Sequence, residues 1–554
     1  MNKLLNVFID GYGNYAVREN TTLLELSKEV FGDTYKEYLG ARIENEIYHL
    51  NKHVKEDMKI EFLDIKDEDG DRIYSKTISA VFIMACKELF EDIEVSIQNF
   101  LGPGLYVEFD NNRNISFSII KEIEKKMREI IIKDYAITRK DYPREKALEI
   151  FKEAGYEDKI RLFESIDKDI ISVYDIGDYK YSFHGYLAPS TGFVKDFKLK
   201  YYYPGVIILF PRKNNNYNMD DFIEQKKLAK IYKESDEWLE ILDLAYLGSL
   251  NKKIKNGKIS QIIKVAEALH EKKIGNIADE ICNDNDINII LIAGPSSSGK
   301  TTFAQRLAIQ LRVNGKRPIS ISVDDYFVNR EDTPLDEEGK PDYESIEAID
   351  IDAFNIDLLK LLEGNEIELP KFNFISGRRE MSGKKVWVDQ DHPIIIEGIH
   401  GLNPMLTKMI PEKNKFKIYI SALTQLNIDS HNRISTSDTR LIRRIVRDNK
   451  FRGNNALGTL DMWKSVRNGE EKYIFPFQEE ADIMFNSSLV YELCVLKKYV
   501  QPLLEAIDNS SVHYSNVKRL LKFLEYFRDV EVEEAIPPNS ILREFIGGTY
   551  LNVH

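Results

Sequence analysis

Residues 287–301 read INIILIAGPSSSGKT, and the fold turns on how this stretch is read. Ile287 to Ala293 is an apolar run broken only by Asn288, which suits a strand buried on both faces of a parallel sheet. The run empties into Gly294–Thr301, which fits G-x-x-x-x-G-K-[ST] at every required position, and the helical segment TTFAQRLAIQLRVNG follows it. With that spacing, successive backbone amides curl around a phosphate, glycines permit the curl, and the helix N-terminus adds positive potential. Gly294, Pro295, Ser296, Ser297, Ser298, Gly299, Lys300, Thr301 and Thr302 are therefore the expected nucleotide-binding residues. Lys300 can reach the outer phosphates, and Thr301 can offer its hydroxyl to Mg²⁺.

Working outward, PISISV (318–323), HPIIIEG (392–398) and KFKIYIS (415–421) are further strand candidates with helical segments between them, which predicts a doubly wound parallel sheet. SVDDYF (322–327) follows the second strand. A carboxylate there can take a proton from an attacking hydroxyl and ligate a metal, with Asp324 the first choice and Asp325 the second. Glu397 ends the wholly apolar strand IIIEG, where a charge is costly unless a cation satisfies it, so it is a second Mg²⁺ ligand candidate. SDTRLIRRIVRDNKFRGN (437–454) concentrates Arg440, Arg443, Arg444, Arg447 and Arg452 on one helix and loop. Such density suits forks that close on phosphoryl oxygens, and Arg444 and Arg447 share a helical face. Arg467 in SVRNGEEKYIFPF is a weaker candidate for the same site. No Asn-Lys pair has Asp two residues further on, which weakens a GTPase reading, and HRD and DFG signatures are missing.

The rest of the chain sets the frame. Its 554 residues suggest three or four domains. With 43% hydrophobic and 30% charged residues the composition is globular, and a net charge of −14 argues against duplex DNA held by overall charge. Cys86, Cys282 and Cys494 lie too far apart for a zinc spacing and read as buried fillers. No apolar run approaches the roughly 20 residues of a membrane helix, so the expectation is a soluble, cytoplasmic chain with no membrane partner. Residues 1–64 alternate in the period of strands around one helix, LLELSKEVFG, capped by Thr21 or Thr22, in a β-grasp-like pattern. The stretch DIKDEDGDR (64–72) reads as a charged break, after which KTISAVFIMACKELF begins a helix. LYVEFD (105–110), a charged helix about 119–133 and a β-rich stretch over 186–210 complete a second α/β unit, and Met219 to about Ile281 is a helical connector. The only biased tract is NNNYN (214–218).

The span 287–505 resembles the uridine kinase and phosphoribulokinase family, with GPSSSGKTT, VDDYF, DYESIEAIDIDAF, LPKFNFISGRR, IIIEG, DTRLIRRIVRD and RGN in the family's order. The resemblance implies that Asp324 is the catalytic base, assisted by Lys300 and Arg447. Thr301, Asp324 and Glu397 would hold Mg²⁺, and Arg444, Arg447 and Arg452 look like lid arginines around ATP. Asp342, Glu344, Phe372 and Arg379 fall where the acceptor binds. Uridine kinases carry a Tyr and a His in the segment equivalent to KFNFISG, where this chain has Phe372 and Gly377, and another lid position reads Asn454. The residue that would read a pyrimidine edge is thus missing.

Residues 1–64 resemble the ubiquitin-like TGS domain, and 65–210 the second domain of threonyl-tRNA synthetases, on KELFEDIEVSIQNFLGPGLYVEFD and LAPSTGFVKDFKL. The synthetases edit mischarged tRNA there with an H-x-x-x-H pair and a later Cys and His. Those positions read Lys76, Ala80, Phe183 and Leu187 here, so the resemblance implies a module without its hydrolytic side chains, although His184 lies close by.

The expected fold is α/β and multidomain: a TGS-like β-grasp domain (1–64), a synthetase second-domain-like unit (65–218), a helical connector (219–284), a P-loop kinase domain with a doubly wound parallel sheet (285–510) and a C-terminal helical extension (511–554). The expected activity is transfer of the γ-phosphoryl group of ATP to a hydroxyl of a nucleoside or a related sugar-like metabolite, in a homo-oligomer. The alternative is an RNA- or ribosome-associated regulatory NTPase whose synthetase-like half binds tRNA. Basic and aromatic residues alternate in VKDFKLKYYY (194–203), and KEIEKKMREIIIKD (121–134) is a second strip whose interleaved acids suit a solvated helix face.

Overall fold

The computed structural model describes residues 3–90, 93–109, 115–213, 216–219, 222–335, 339, 341–373, 376–389 and 391–553. Glu91, Asp92 and Asp110 of the synthetase-like motif, Asn214 and Asn215 of the biased tract, and Phe374 and Ile375 of LPKFNFISGRR lie outside them. Strands β1 (Leu4–Ile9), β2 (Gly13–Arg18), β3 (Gly40–Ile43), β4 (Glu46–Tyr48) and β5 (Met58–Leu63) form one sheet in the order β2-β1-β5-β3-β4, with only β1 and β5 parallel. Helix α1 (Leu23–Phe31) packs Leu23 and Leu26 into the core. It starts at Thr22, whose hydroxyl accepts the Glu25 N–H at 3.1 Å while the Glu25 carboxylate accepts the Thr22 N–H at 2.8 Å.

Helix α2 (Glu68–Leu89) corrects the sequence reading of 64–72 as a break. Asp67 caps it by accepting the Asp69 and Gly70 N–H groups, and Glu68, Asp69 and Asp71 fill its first turn. A run of acids looks like a solvated linker, but the helix dipole favours them at an N-terminus. Strands β6 (Val95–Leu101) and β7 (Gly104–Phe109), helices α3 (Phe117–Lys133), α4 (Arg144–Glu153) and α5 (Glu157–Ser165), and strands β8 (Ile137–Pro143), β9 (Ile170–Ile176), β10 (Tyr179–Tyr181), β11 (Lys198–Tyr202) and β12 (Gly205–Leu209) follow. They build two antiparallel sheets, β11-β12-β7-β6 and β10-β9-β8. Helix α3 buries Ile120, Ile123, Met127 and Ile130 on one face and leaves Lys121, Glu122 and Lys125 in solvent, as its charge pattern requires.

Three helices, α6 (Lys226–Ile241), α7 (Leu247–Lys255) and α8 (Ile259–Cys282), lead into the parallel part. There β13 (Ile289–Ala293), α9 (Lys300–Val313), β14 (Ile319–Ser322), α10 (Ile351–Leu362), the hairpin β15 (Ile367–Asn373) and β16 (Arg378–Val386), β17 (Ile394–Glu397), β18 (Lys415–Ser421), α11 (Thr436–Phe451), α12 (Ala456–Tyr473), β19 (Ile483–Asn486) and α13 (Glu492–Glu505) follow one another. The sheet order is β14-β17-β13-β18-β19, and every pairing is parallel. Every residue of β13 is buried, which is why its sequence lacks alternation. Register aligns Glu397 with Ile292 and with Ser322, so β13, β14 and β17 end along one edge. Ligands of open parallel sheets bind at that carboxyl edge. Beyond it lie α14 (Tyr514–Leu524) and α15 (Arg543–Ile546), with much of 525–542 outside any α-helix, so the C-terminal extension is helical only in part. Cys86 and Cys494 are buried and Cys282 half-buried, all three as free thiols. Among the described residues, no helix is long and apolar enough to cross a membrane.

Candidate active site

The loop from Gly294 to Gly299 joins β13 to α9 and can be built only with its glycines. A Cβ on Gly294 would lie 2.0 Å from the Ile420 carbonyl oxygen, and Gly299 adopts φ +85°. The Lys300 ammonium donates to the carbonyls of Gly294 at 2.9 Å and Pro295 at 3.2 Å, across the hollow of the loop. Thr301 donates its hydroxyl to Glu397, with Oε1 at 3.2 Å and Oε2 at 3.4 Å. The two residues are 96 positions apart and meet because the strand ends are in register.

The carboxylates of Glu397, Asp324 and Glu544 act on Lys300. Burial pushes the Glu397 carboxyl up to about 7 against the opposing pull of Lys300, and Asp324 raises it further. Asp324 is open to the solvent of the cleft although protein crowds it, and desolvation still raises its carboxyl against the pull of Lys300. Its neighbour Asp325 is engaged otherwise, accepting the Phe372 N–H at 3.2 Å. Glu344 is pushed up to about 7 by burial and by Glu470, with Arg444 and Lys300 opposing. Burial lowers the Lys300 ammonium, and Glu397 and Asp324 hold it up. Thr301 and Glu397 are hard oxygen donors facing each other beside the phosphate loop, a set that fits Mg²⁺ once substrate phosphates complete it. The described residues hold no group of three or more acidic, His or Cys side chains able to bind a metal alone.

The arginines of α11 divide by depth. Arg440 and Arg443 are fully buried and brace the loop from behind, donating to the carbonyls of Ser296 at 3.1 Å and Ser297 at 3.3 Å. Their charges are met by Glu470 and Glu492. Arg444 donates to the Ser296 hydroxyl at 2.7 Å and pairs with Asp448 at 3.2 Å. Arg447 pairs with Asp448 at 2.8 Å, and Arg452, 59% exposed, stands 3.9 Å from the same carboxylate. Asp448 thus gathers the three arginines expected around ATP. Arg467 is held by Glu470 and Glu471, and the Asn454 amide reaches the Thr459 hydroxyl at 3.5 Å.

On the acceptor side, Asp342 accepts the Tyr473 hydroxyl at 2.8 Å. Phe372 is buried edge-on to Phe327, and the Arg379 guanidinium is committed to Asp350 at 2.8 Å. Sequence reasoning missed Glu470, Glu492 and the buried His400, whose ring faces Tyr473 at 6.0 Å. Only the density of basic residues in α11, which demands buried counter-charges, could have signalled the first two.

In the amino-terminal half, Ala80, Phe183 and Leu187 are buried, and the Lys76 ammonium donates to the His184 carbonyl. The loop between β18 and α11 enters this region. Lys159 and Asp429 form a fully buried ion pair at 2.7 Å, and Asp158 accepts the Ser430 N–H and hydroxyl at 2.8 and 2.7 Å. Asn432 accepts the His184 N–H at 2.8 Å and donates to the Ser182 carbonyl at 3.0 Å, while the His431 ring stacks on Phe183 at 6.0 Å. Residues 429–432 of the loop that follows β18 therefore pack against Phe183 and α5 of the amino-terminal half.

Comparison with known proteins gives the two halves different relatives. Residues 289–492 match the sequence model of the Phosphoribulokinase / Uridine kinase family. The amino-terminal half matches threonine–tRNA ligases. That of Natranaerobius thermophilus is 29% identical over 264 residues, covering 48% of this chain and 38% of the ligase. That of Desulforamulus reducens is 34% identical over 186 residues, covering 33% and 29%. The chain thus spans under two fifths of the length of these curated relatives. Among solved structures, a putative fructose transport system kinase from Silicibacter sp. TM1040 aligns with TM-score 0.27 and 17% identity, over 36% of this chain and 89% of that one. A possible uridine kinase from Bacillus stearothermophilus aligns with TM-score 0.24 and 19% identity over the same shares.

Proposed function

We propose that the chain is an ATP- and Mg²⁺-dependent kinase that transfers the γ-phosphoryl group to a hydroxyl of a nucleoside or a related sugar-like metabolite. The observation that carries this reading is the meeting of Lys300, Thr301, Glu397 and Asp324 at the carboxyl edge of one parallel sheet, inside a Phosphoribulokinase / Uridine kinase family domain. In this reading Asp324 takes the proton of the acceptor hydroxyl as its oxygen attacks the γ-phosphorus. The Lys300 ammonium and the Arg444, Arg447 and Arg452 guanidiniums donate to the phosphoryl oxygens, where charge accumulates. Thr301 and Glu397, with Asp324 beside them, would hold Mg²⁺, which when bound neutralises charge on the bridging oxygens. Glu344 and Asp342 offer carboxylates to the acceptor's other hydroxyls, and the half-buried Glu344 beside Asp324 suits a polyol better than a second phosphate. An ATP-consumption screen against nucleosides and phosphorylatable sugars, with Lys300→Ala as the blank, tests the assignment. Turnover on one acceptor class, absent in the blank, is expected; acceptor-independent hydrolysis alone would remove it.

A tRNA-binding regulatory NTPase is the second reading. Its support is the likeness to threonine–tRNA ligases together with an edge strand, β11, that exposes Lys198, Lys200, Tyr201 and, just beyond it, Tyr203. The loop 422–434 packed into the editing-like unit speaks against entry of an acceptor end. Filter binding of tRNA across a salt series separates the readings, because binding to phosphates must weaken as salt rises.

A further inference from the structure

Residues 536–552 run along one face of α9. Ile541 lies on Gly299, where an added Cβ would be 2.6 Å from Ile541 Cγ2. One turn further, the buried Glu544 carboxylate accepts the buried Thr302 hydroxyl at 2.6 Å. One turn beyond that, Gln305 accepts the Asn552 N–H at 3.0 Å and donates to the Asn552 carbonyl. Positions 299, 302 and 305 form a single stripe leading away from the phosphate loop. The segment is fastened on its other side too: Ser540 donates to Glu267 at 2.5 Å, Phe545 lies under the Arg443 guanidinium at 5.0 Å, and Lys450 donates to the Ile546 carbonyl.

We infer that this segment is an autoinhibitory strap whose Glu544 carboxylate holds the place of an inner phosphate of the nucleotide. The inference rests on the nucleotide-binding reading of the loop. Lys300 serves the outer phosphates and Thr301 the metal, so Thr302 is the next donor inward along the nucleotide. A threonine hydroxyl has one proton to donate, and here a carboxylate, an anion that only accepts, holds it. The start of a long helix attracts an anion, and Glu544 supplies one from the chain itself. Glu544 is also within electrostatic range of Lys300 and Glu397, so a phosphate group arriving beside it meets like charge. Nucleotide entry therefore requires residues 540–552 to lift. The stem of the strap is docked on the amino-terminal half and on the arginine helix: Lys518 pairs with Glu46, Lys168 with Glu525 at 2.7 Å, and Arg519 with Asp438 at 2.6 Å. A ligand that shifts α14 from those partners would pull on the cover of the phosphate site.

Calorimetric titration of the full chain with MgATP tests this, on wild type, Glu544→Gln and Lys300→Ala. A strap that keeps only a minor fraction of molecules competent lowers apparent affinity by that fraction, so Glu544→Gln is expected to bind about tenfold tighter or more. Amide hydrogen exchange gives a second readout that needs no variant: MgATP is expected to speed exchange over 540–552 in the wild type. Equal or weaker binding by Glu544→Gln, with exchange over 540–552 unchanged or slowed by MgATP, overturns the strap, and if binding is still lost in Lys300→Ala the nucleotide reading survives. Failure of wild type and Glu544→Gln alike to bind MgATP removes both readings.

Discussion

Glu470 grips Arg440 through both terminal nitrogens of the guanidinium, with Nη2 to Oε2 at 2.6 Å, and the same carboxylate accepts the Ser296 N–H at 3.0 Å. Both side chains are at most 2% exposed. The back of the phosphate loop is thereby bolted to α11 and α12 at once. Removing one partner of a buried pair strands the other charge, so Glu470→Ala is expected to lower stability by roughly 3–5 kcal/mol. Replacing both Arg440 and Glu470 by Met should recover part of that loss, since a buried pair exchanged for apolar volume is often neutral. Urea unfolding of the wild type and the two variants is the measurement, and a loss below about 1 kcal/mol in Glu470→Ala would show that the pair is not buried in solution.

Asp324 stands free on the cleft side while Asp325 is committed to the Phe372 N–H. Loss of a positioned general base costs about 10²–10⁴-fold, so Asp324→Asn should lower kcat by at least that factor. Asp325→Asn, which can still accept the backbone hydrogen bond, should keep most of the rate. Steady-state kinetics with the acceptor found by screening decides it; equal losses in the two variants would refute the division of labour.

Glu344 supplies a pH test. Its carboxyl is raised from 4.5 to about 7, chiefly by burial, so the folded chain holds a proton that the unfolded chain has released. The stabilisation is therefore complete below about pH 4.5 and is lost as pH rises through about 7. Relative to Glu344→Gln, which stays neutral, the wild type should lose thermal stability between about pH 5 and about pH 8. Parallel melting curves over that interval would contradict the burial assigned to Glu344. The same ionisation strengthens its hold on hydroxyl donors, so the acceptor KM should fall over the interval in the wild type and less in the variant.

The parallel sheet was readable because its central strands are buried on both faces: β13 is apolar throughout and β17 is apolar up to its terminal Glu397, as a covered parallel sheet requires. Asp324 and Glu397 were readable for a related reason, since each sits at or just beyond a strand end, where a polar residue after apolar ones has to face something, and Lys300 and Thr301 were readable from the G-x-x-x-x-G-K-[ST] spacing itself. Strand β19 is four residues long and carries no such signal, and the β15–β16 hairpin has irregular register and mostly exposed residues on β16. Glu470 and Glu544 were illegible because their meaning lies in partners 174 and 242 positions away. Local pattern gives the direction in which a side chain points along its own element, and only the packing of whole elements gives what it meets.

Lys159 and Asp429 meet 270 positions apart, with side chains 0% and 2% exposed, at the contact between α5 and the loop that leads into α11. That loop begins at the end of β18 and ends at the arginine helix, so the pair ties the amino-terminal half to the residues expected around ATP. Lys159→Ala leaves Asp429 buried without a cation and should cost roughly 3–5 kcal/mol, whereas two surface charges would cost under about 1 kcal/mol. The effect should also reach the distant site: with Asp429 unpaired the loop loosens, and amide exchange should rise over 427–434 and over the first turns of α11 together. Exchange that rises only in 427–434 would mean that the loop and the helix move independently.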